Sequence, residues 1–239
     1  MSKTVDFHSH VLPGIDDGCK SVKEALRVLR MEARQGIEHV VATPHFYPQQ
    51  DTPERFLRRR AASEALLREA MAEESGLPTL SIGAEVYYFR GMSDSDAISE
   101  LTINNTRCIL VEMPRAPWTE AMYQELEALH VKRGLIPVVA HVDRYISRFR
   151  THGIPKRLES LPVLVQANAE FFLERSTSRM AMRMLKKGAI HLLGSDCHNL
   201  TDRKPDMGDA LELIRRHLGV GALEHIRFHE KLALEGESL

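Results

Sequence analysis

Cysteine is scarce: Cys19, Cys108 and Cys197 are far apart and odd in number, so no disulfide framework is implied. Charge of one sign is lacking as well. Lysine and arginine number 32 against 33 aspartates and glutamates, a formal net charge of −1, which gives no field to gather nucleic acid or an anionic membrane. No apolar run approaches the roughly 20 residues that cross a bilayer. The opening "MSKTVDFHSH" has no apolar signal-peptide core. The expectation is a cytoplasmic protein with no nucleic-acid partner and no membrane insertion. Repeats, low-complexity segments and compositional breaks are missing too, so residues 1–239 are expected to form one domain.

What is present is a strand–helix alternation. Short β-rich runs occur at 4–10, 39–45, 79–88, 108–113, 136–142, 163–169 and 190–196. Between them, 21–36, 53–74, 119–134 and 177–188 carry apolar residues at helical steps, and three of the four stop at glycine. Near-continuous apolar strands joined through helices mean a parallel sheet covered by helices. Seven such runs in this length favour an α/β barrel resembling the (β/α)₈ type. An open doubly wound sheet usually carries a Gly-rich phosphate turn after its first strand, and "HSHVLPGIDDG" is not one.

Parallel barrels collect functional groups at the C-terminal ends of their strands. His8 and His10 end the first run and share one face of it. His45 ends the second, Glu85 lies late in the third, Glu112 ends the fourth and His141 the fifth, while Asn168 ends the sixth and Asp196 and His198 finish the seventh. Taken singly, each histidine is accounted for as a hydrogen-bonded core or loop residue; as a set on one rim they point to a metal centre. Imidazoles and carboxylates without a thiolate cluster suit Zn²⁺, Mn²⁺ or Fe²⁺. There are more donors than one ion needs, so two or three ions are expected. Clustered divalent ions suit phosphate-ester hydrolysis. Arg144 and Arg203 stand next to the ligands in sequence, and a guanidinium fork matches phosphate geometry.

The stretches "DFHSHVLPGIDDG", "TPHFYP", "GAEVYY", "LVEMP", "AHVDRY" and "SDCHNLTDRKPDMG", in order from residue 4 to about 210, together resemble the PHP-type bacterial protein-tyrosine phosphatases. These belong to the polymerase and histidinol phosphatase superfamily and act with capsule and exopolysaccharide operons. The resemblance implies a distorted (β/α)₇ TIM-like barrel of the PHP fold. It also implies a trinuclear centre usually active with Mn²⁺, with Zn²⁺, Fe²⁺ or Co²⁺ as alternatives. The implied substrate is phosphotyrosine on a tyrosine autokinase of polysaccharide assembly. One ion would take His8, His10, Glu85 and Asp196; a second would share Glu85 with Glu112 and His141. The third would use His45, His198 and either Asp16 or Asp17, a choice the motif leaves open. Arg144 and Arg203 would hold the phosphate while a metal-bridging hydroxide attacks. Where the family often reads Pro-Glu this chain has Val142-Asp143, which could alter how Arg144 is oriented. Gln166 and Asn168 would support the ligands from behind. The alternatives are a PHP phosphatase of a small molecule such as histidinol phosphate, and an amidohydrolase, which also begins with His-x-His on a barrel strand.

Phe46, Tyr47, Tyr87 and Tyr88 follow strand ends and either line a slot for a phenyl ring or pack. Arg58, Arg59 and Arg60 are expected on a solvated helix face. His39, His130, His152, His191, His217, His225 and His229 are expected at helix ends, at strand starts or in a C-terminal tail, in structural roles. Cys197 and Arg203 spell C-x₅-R, the spacing of cysteine-dependent phosphatases. "CHNLTDR" lacks the glycines of a phosphate loop, and strict alternation turns Cys197 away from Asp196 and His198.

Overall fold

The computed structural model describes residues 4–146 and 153–235; His152 lies outside the described residues. All seven expected β-runs form strands, and every named pairing is parallel. Runs two and three each break in two. The second gives β2 (His39–Ala42) and β3 (His45–Phe46), and the third gives β4 (Thr79–Ile82) and β5 (Glu85–Tyr87). The first halves pair with β1 (Val5–Ser9) in the order β1-β2-β4. The second halves join β6 (Cys108–Glu112), β7 (Ile136–Val139), β8 (Leu164–Asn168) and β9 (Leu192–Gly194) in the order β3-β5-β6-β7-β8-β9.

Both breaks have local causes. Pro44 brings no N–H to a ladder. At Gly83 a Cβ would come within 2.8 Å of the Ile103 side chain, so only glycine fits there. Among the described residues, the barrel closes through one isolated bridge, between Ser9 and Cys197. His10 N–H donates to the Cys197 carbonyl at 3.0 Å and Asp196 N–H to the His8 carbonyl at 2.8 Å. The result is a distorted seven-run barrel of the expected class.

The four helices read from the sequence are α1 (Val22–Arg34), α2 (Pro53–Ala72), α3 (Glu120–Arg133) and α7 (Ser178–Lys186). The Ser21 side chain accepts from Glu24 N–H, and Thr52 with Pro53 behind it starts α2 in the same way. Gly134, at φ 65°, caps α3 in the left-handed conformation. Between β5 and β6, short 3₁₀ turns from Met92 to Asn105 stand in place of a helix. Three short helices, α4 (Asp143–Ile146), α5 (Ile154–Leu158) and α6 (Ala169–Leu173), occupy loops. The C-terminal stretch, expected as a tail, is two helices, α8 (Met207–Leu218) and α9 (Val220–Glu235).

His225 on α9 bonds the Ile190 carbonyl at 3.0 Å and rings with His191 and His229. His39, His130 and His217 likewise bond hydroxyls or carbonyls. The arginine run is not a uniformly solvated face. Arg58 is exposed, but Arg59 pairs with Asp51 at 2.7 Å and bonds the Ile15 carbonyl. Arg60 donates to the carbonyls of Gly83 at 3.0 Å and Glu100 at 3.1 Å. Arg60 thus satisfies carbonyls at the strand break and in the 3₁₀ turns, and Arg59 one in the loop after β1.

Candidate metal centre

The strand ends bring His8, His10, Glu85, His141 and Asp196 together in the barrel mouth, all of them buried. His8 Nε2 and His10 Nε2 face each other at 3.1 Å. Glu85 Oε2 lies 3.3 Å from each, and Asp196 Oδ1 lies 3.7 Å and 3.4 Å from them. The far side of each ring fixes its tautomer. His10 Nδ1–H donates to Asp16 Oδ2 at 2.8 Å. His8 Nδ1–H points at Gln166 Oε1 at 3.3 Å. That amide oxygen also accepts His141 N–H at 2.6 Å, while its Nε2 donates to Asn168 Oδ1 at 3.1 Å. With both rings neutral, the inward nitrogens present lone pairs to one another and to two carboxylate oxygens. Buried acceptors facing acceptors are costly unless a cation lies between them. Burial alone would keep His8 and His10 neutral; the negative charge of Glu85 and Asp196 beside His8, and of Asp16 beside His10, pulls both above the ordinary imidazole range. The pocket demands positive charge, and its donors suit a divalent metal.

Two further groups adjoin the first. His45 Nδ1 is 2.9 Å from Glu85 Oε2 and 4.0 Å from Glu112 Oε2. His141 Nε2 is 2.6 Å from Glu85 Oε1 and 3.8 Å from Glu112 Oε1. Burial, then the Glu85 charge, pushes Glu112 up to about 7. Asp17 Oδ1 lies 3.5 Å from His45 Nε2 and 3.4 Å from His198 Nε2. His198 Nδ1–H donates to the Asp196 carbonyl at 3.0 Å, which leaves Nε2 free to ligate. Glu85 Oε2, Glu112 Oε2, His45 Nδ1 and His198 Nε2 are buried without a hydrogen bond, a concentration of orphaned donor atoms that a metal cluster accounts for. His8, His10 and Glu85 form one group able to hold an ion, His45, Glu85 and Glu112 a second, and His10, Asp17, His45 and His198 a third.

The two aspartates of the "DDG" turn separate in the structure. Asp16 accepts from the His10 ring, from His45 N–H at 3.0 Å and from Gly18 N–H at 2.9 Å. Burial opposes its charge, but the His10 ring and the two N–H groups hold it well below the usual carboxylate range. Asp17 is the one that faces the unbonded ring nitrogens of His45 and His198. His141 and Asp196 also share a left-handed backbone, at φ 31° and 52°; such conformations cost of order 1–3 kcal/mol and collect at functional sites.

Arg144 bonds Asp196 Oδ2 and Arg203 bonds its Oδ1 at 2.8 Å. Asn168 Nδ2 donates to the same carboxylate at 3.1 Å, and Asp143, at the departure from the family pattern, accepts Asn168 N–H at 3.0 Å. Asp143 thus braces the residue behind Asp196, while Arg144 still reaches the site. Both arginines line a cleft of about 450 Å³. Tyr47 stacks on His45 at 5.0 Å and meets Tyr87 at 5.7 Å, so these two rings flank the centre. Phe46 is instead core, against Phe56, and Tyr88 packs on the core's edge.

Cys197 points away from the metal groups. It is fully buried, bonds Ser9 Oγ at 3.3 Å and clusters with Asp6 and Glu32. Burial first, then the charges of Glu32 and Asp6, raises its thiol well above the ordinary value, the opposite of what a nucleophile needs.

Tyr145 had no place in the sequence reading. One helical turn after His141, its hydroxyl sits 3.3 Å from His141 Nδ1 and accepts Met113 N–H at 2.9 Å. It ties the Glu112 and His141 strand ends together. The i,i+4 spacing in "HVDRY" is the signal that could have found it.

A family model described as "Capsular polysaccharide synthesis, CpsB/CapC" matches residues 4–234. The tyrosine-protein phosphatase CpsB of Streptococcus agalactiae serotype III (strain NEM316) is 28% identical over 225 residues, covering 90% of this chain and 91% of that protein. The tyrosine-protein phosphatase YwqE of Bacillus subtilis (strain 168) is 26% identical over 224 residues, 90% of this chain and 85% of that one. Crystal structures of YwqE from Bacillus subtilis and CpsB from Streptococcus pneumoniae, described as metal-dependent tyrosine phosphatases, include a chain that superposes with a TM-score of 0.87 at 23% identity. That match covers 99% of this chain and 96% of the other.

Proposed function

The chain belongs to the capsular polysaccharide synthesis CpsB/CapC family, and from that premise we propose that it is a metal-dependent protein-tyrosine phosphatase acting on a tyrosine autokinase of polysaccharide assembly in the cytoplasm. The observation that carries the reading is the meeting of the His8 and His10 lone pairs with Glu85 and Asp196 in a buried space beside two arginines.

The proposed ligands are His8, His10, Glu85 and Asp196 for one ion, Glu85, Glu112 and His141 for a second, and His45, His198 and Asp17 for a third. Asp16 is assigned to orienting His10. Manganese is the proposed ion, because carboxylates and imidazoles without thiolate suit it. Bound divalent ions supply Lewis acidity toward phosphoryl oxygens and lower the pKa of water.

The chain's own groups do the rest. Arg144 and Arg203 are held by Asp196 at the edge of the cleft, where their remaining N–H groups can fork onto phosphate oxygens. Tyr47 and Tyr87 offer ring faces beside the centre. Asp16, Gln166 and Asn168 keep the His8, His10 and Asp196 donors aimed without rearrangement, which is the preorganisation that lowers a barrier.

The test is hydrolysis of p-nitrophenyl phosphate and of a phosphotyrosine peptide, with chelator, with Mn²⁺ restored, and with Cys197→Ser. Turnover should vanish in EDTA, return with Mn²⁺ and ignore the Cys197 substitution. Activity that survives EDTA and dies with Cys197→Ser would overturn the proposal. Tyr145→Phe should weaken metal binding by about 10-fold, the lower end for partners that orient a ligand. Calorimetric metal titration reads this directly, and an unchanged isotherm would show that Tyr145 only packs.

A further inference from the structure

The cleft beside the metal groups carries a third arginine, Arg115. Arg144 and Arg203 are both engaged by Asp196. Arg115 is exposed and makes no hydrogen bond or ion pair among the described residues. Its loop is nevertheless stiff. Pro114 and Pro117 fix two backbone angles around it, and Trp118 Nε1–H closes back on the Pro114 carbonyl at 3.2 Å. The Trp118 ring packs edge-on against Tyr145 at 5.1 Å, and Met113 N–H is held by the Tyr145 hydroxyl. On a braced loop the backbone is already ordered, so only the side chain has to be fixed when the guanidinium meets an anion. The same cleft carries the exposed carboxylates of Glu170 and Glu174, so it has charges of both signs.

We propose that Arg115 is a specificity residue that reads a second negative charge on the substrate, the carboxylate of an acidic residue flanking the phosphotyrosine. The inference rests on the phosphatase reading above. Arg144 and Arg203 take the phosphate, the cleft has room beyond it, and Arg115 is a guanidinium with no hydrogen bond or ion pair among the described residues, near enough to Glu112 only to act on it through its charge. Glu170 and Glu174 repel acidic side chains, so the preference is one-sided: an aspartate helps on one flank of the phosphotyrosine and not on the other.

The experiment is a matched set of phosphotyrosine peptides, with aspartate, alanine or lysine at each flanking position, assayed on the metal-loaded enzyme. The wild type should favour aspartate over alanine on one flank by about 5-fold in kcat/KM, the upper end for an exposed charge pair. The difference should lie in KM and shrink in high salt. Arg115→Gln should flatten the ratio, Arg115→Lys should keep most of it, and Arg115→Glu should turn the preference to lysine. A merely structural role would change all peptides alike. Equal treatment of aspartate and alanine peptides by the wild type, or a preference that survives Arg115→Gln, would overturn the inference and leave the phosphatase reading intact. Hydrolysis of p-nitrophenyl phosphate with no turnover of any peptide would remove the protein substrate, and this inference with it.

Discussion

Glu85→Gln is expected to cut turnover by far more than the about 100-fold seen at the upper limit for residues that merely support a ligand. Glu85 Oε2 approaches His8, His10 and His45 at 3.3, 3.3 and 2.9 Å, and Oε1 approaches His141 at 2.6 Å. One carboxylate therefore serves two proposed ions. The amide keeps the shape, loses the charge, and places an NH₂ against nitrogens or a metal. The variant should fold, because the amide keeps the shape of the carboxylate, and circular dichroism checks this. It should bind fewer ions by elemental analysis, and it should lose the rise in Tm that the wild type gains when Mn²⁺ binds the native state. Full metal content with normal turnover would refute the bridging role.

The second large effect is expected from a single methyl group. A Cβ at Gly194 would stand 2.5 Å from His8 Cβ, 2.8 Å from His8 N and 3.0 Å from Gln166 Nε2. Two of these are strand atoms that cannot step aside, and the third belongs to the amide that orients His8. Gly194→Ala should destabilise the protein by at least the about 1–3 kcal/mol typical of overpacking. In a chain of this size that is a fall in Tm of roughly 2–4 °C per kcal/mol. Metal affinity should fall as well, because His8 must move. Gly221→Ala is the control. It lies near the start of α9 with nothing within 4 Å of a built Cβ, so a gain of about 0.4–1 kcal/mol is expected from reduced freedom of the unfolded chain. Thermal melts of the two variants with and without Mn²⁺ decide both points. Equal melting of Gly194→Ala and wild type would mean that the seam between β9 and β1 yields more easily than its backbone contacts suggest.

The barrel was legible because its strands are continuous apolar runs and four of its helices carry apolar residues at helical steps, three of them stopping at glycine, all local signals. The splitting of runs two and three was not, although Pro44 and Gly83 were visible. Their effect depends on what lies opposite: Ile103 crowding Gly83 is a contact between distant parts of the chain. The short helices α4 to α6 are below the length at which periodicity speaks. The site's His, Glu and Asp residues were legible because strand ends share one rim, so a list of strand ends is already a list of neighbours. Asp16 and Asp17 were inseparable, since adjacent residues in one turn differ only in which way each side chain leaves it. Arg115 gave no signal, because an arginine in a loop is ordinary until the structure shows that it has no hydrogen bond or ion pair among the described residues.

The closing seam has a consequence in time. Its bonds join Asp6 to Ser195, 189 residues along the chain, and Ser9 to Cys197, 188 residues along. Contacts this distant demand the costliest loop closure. As the chain is synthesised, His8, His10, His45 and Glu85 leave the ribosome well before Asp196 and His198 exist. A nascent chain therefore lacks Asp196 from the first proposed donor set and His198 from the third, and has no rigid mouth to aim the donors already made. On the proposed ligand assignment, activity waits until the last strand docks against the first. The chemistry that removes phosphate is thus withheld from every unfinished copy by the same bridge that shuts the barrel.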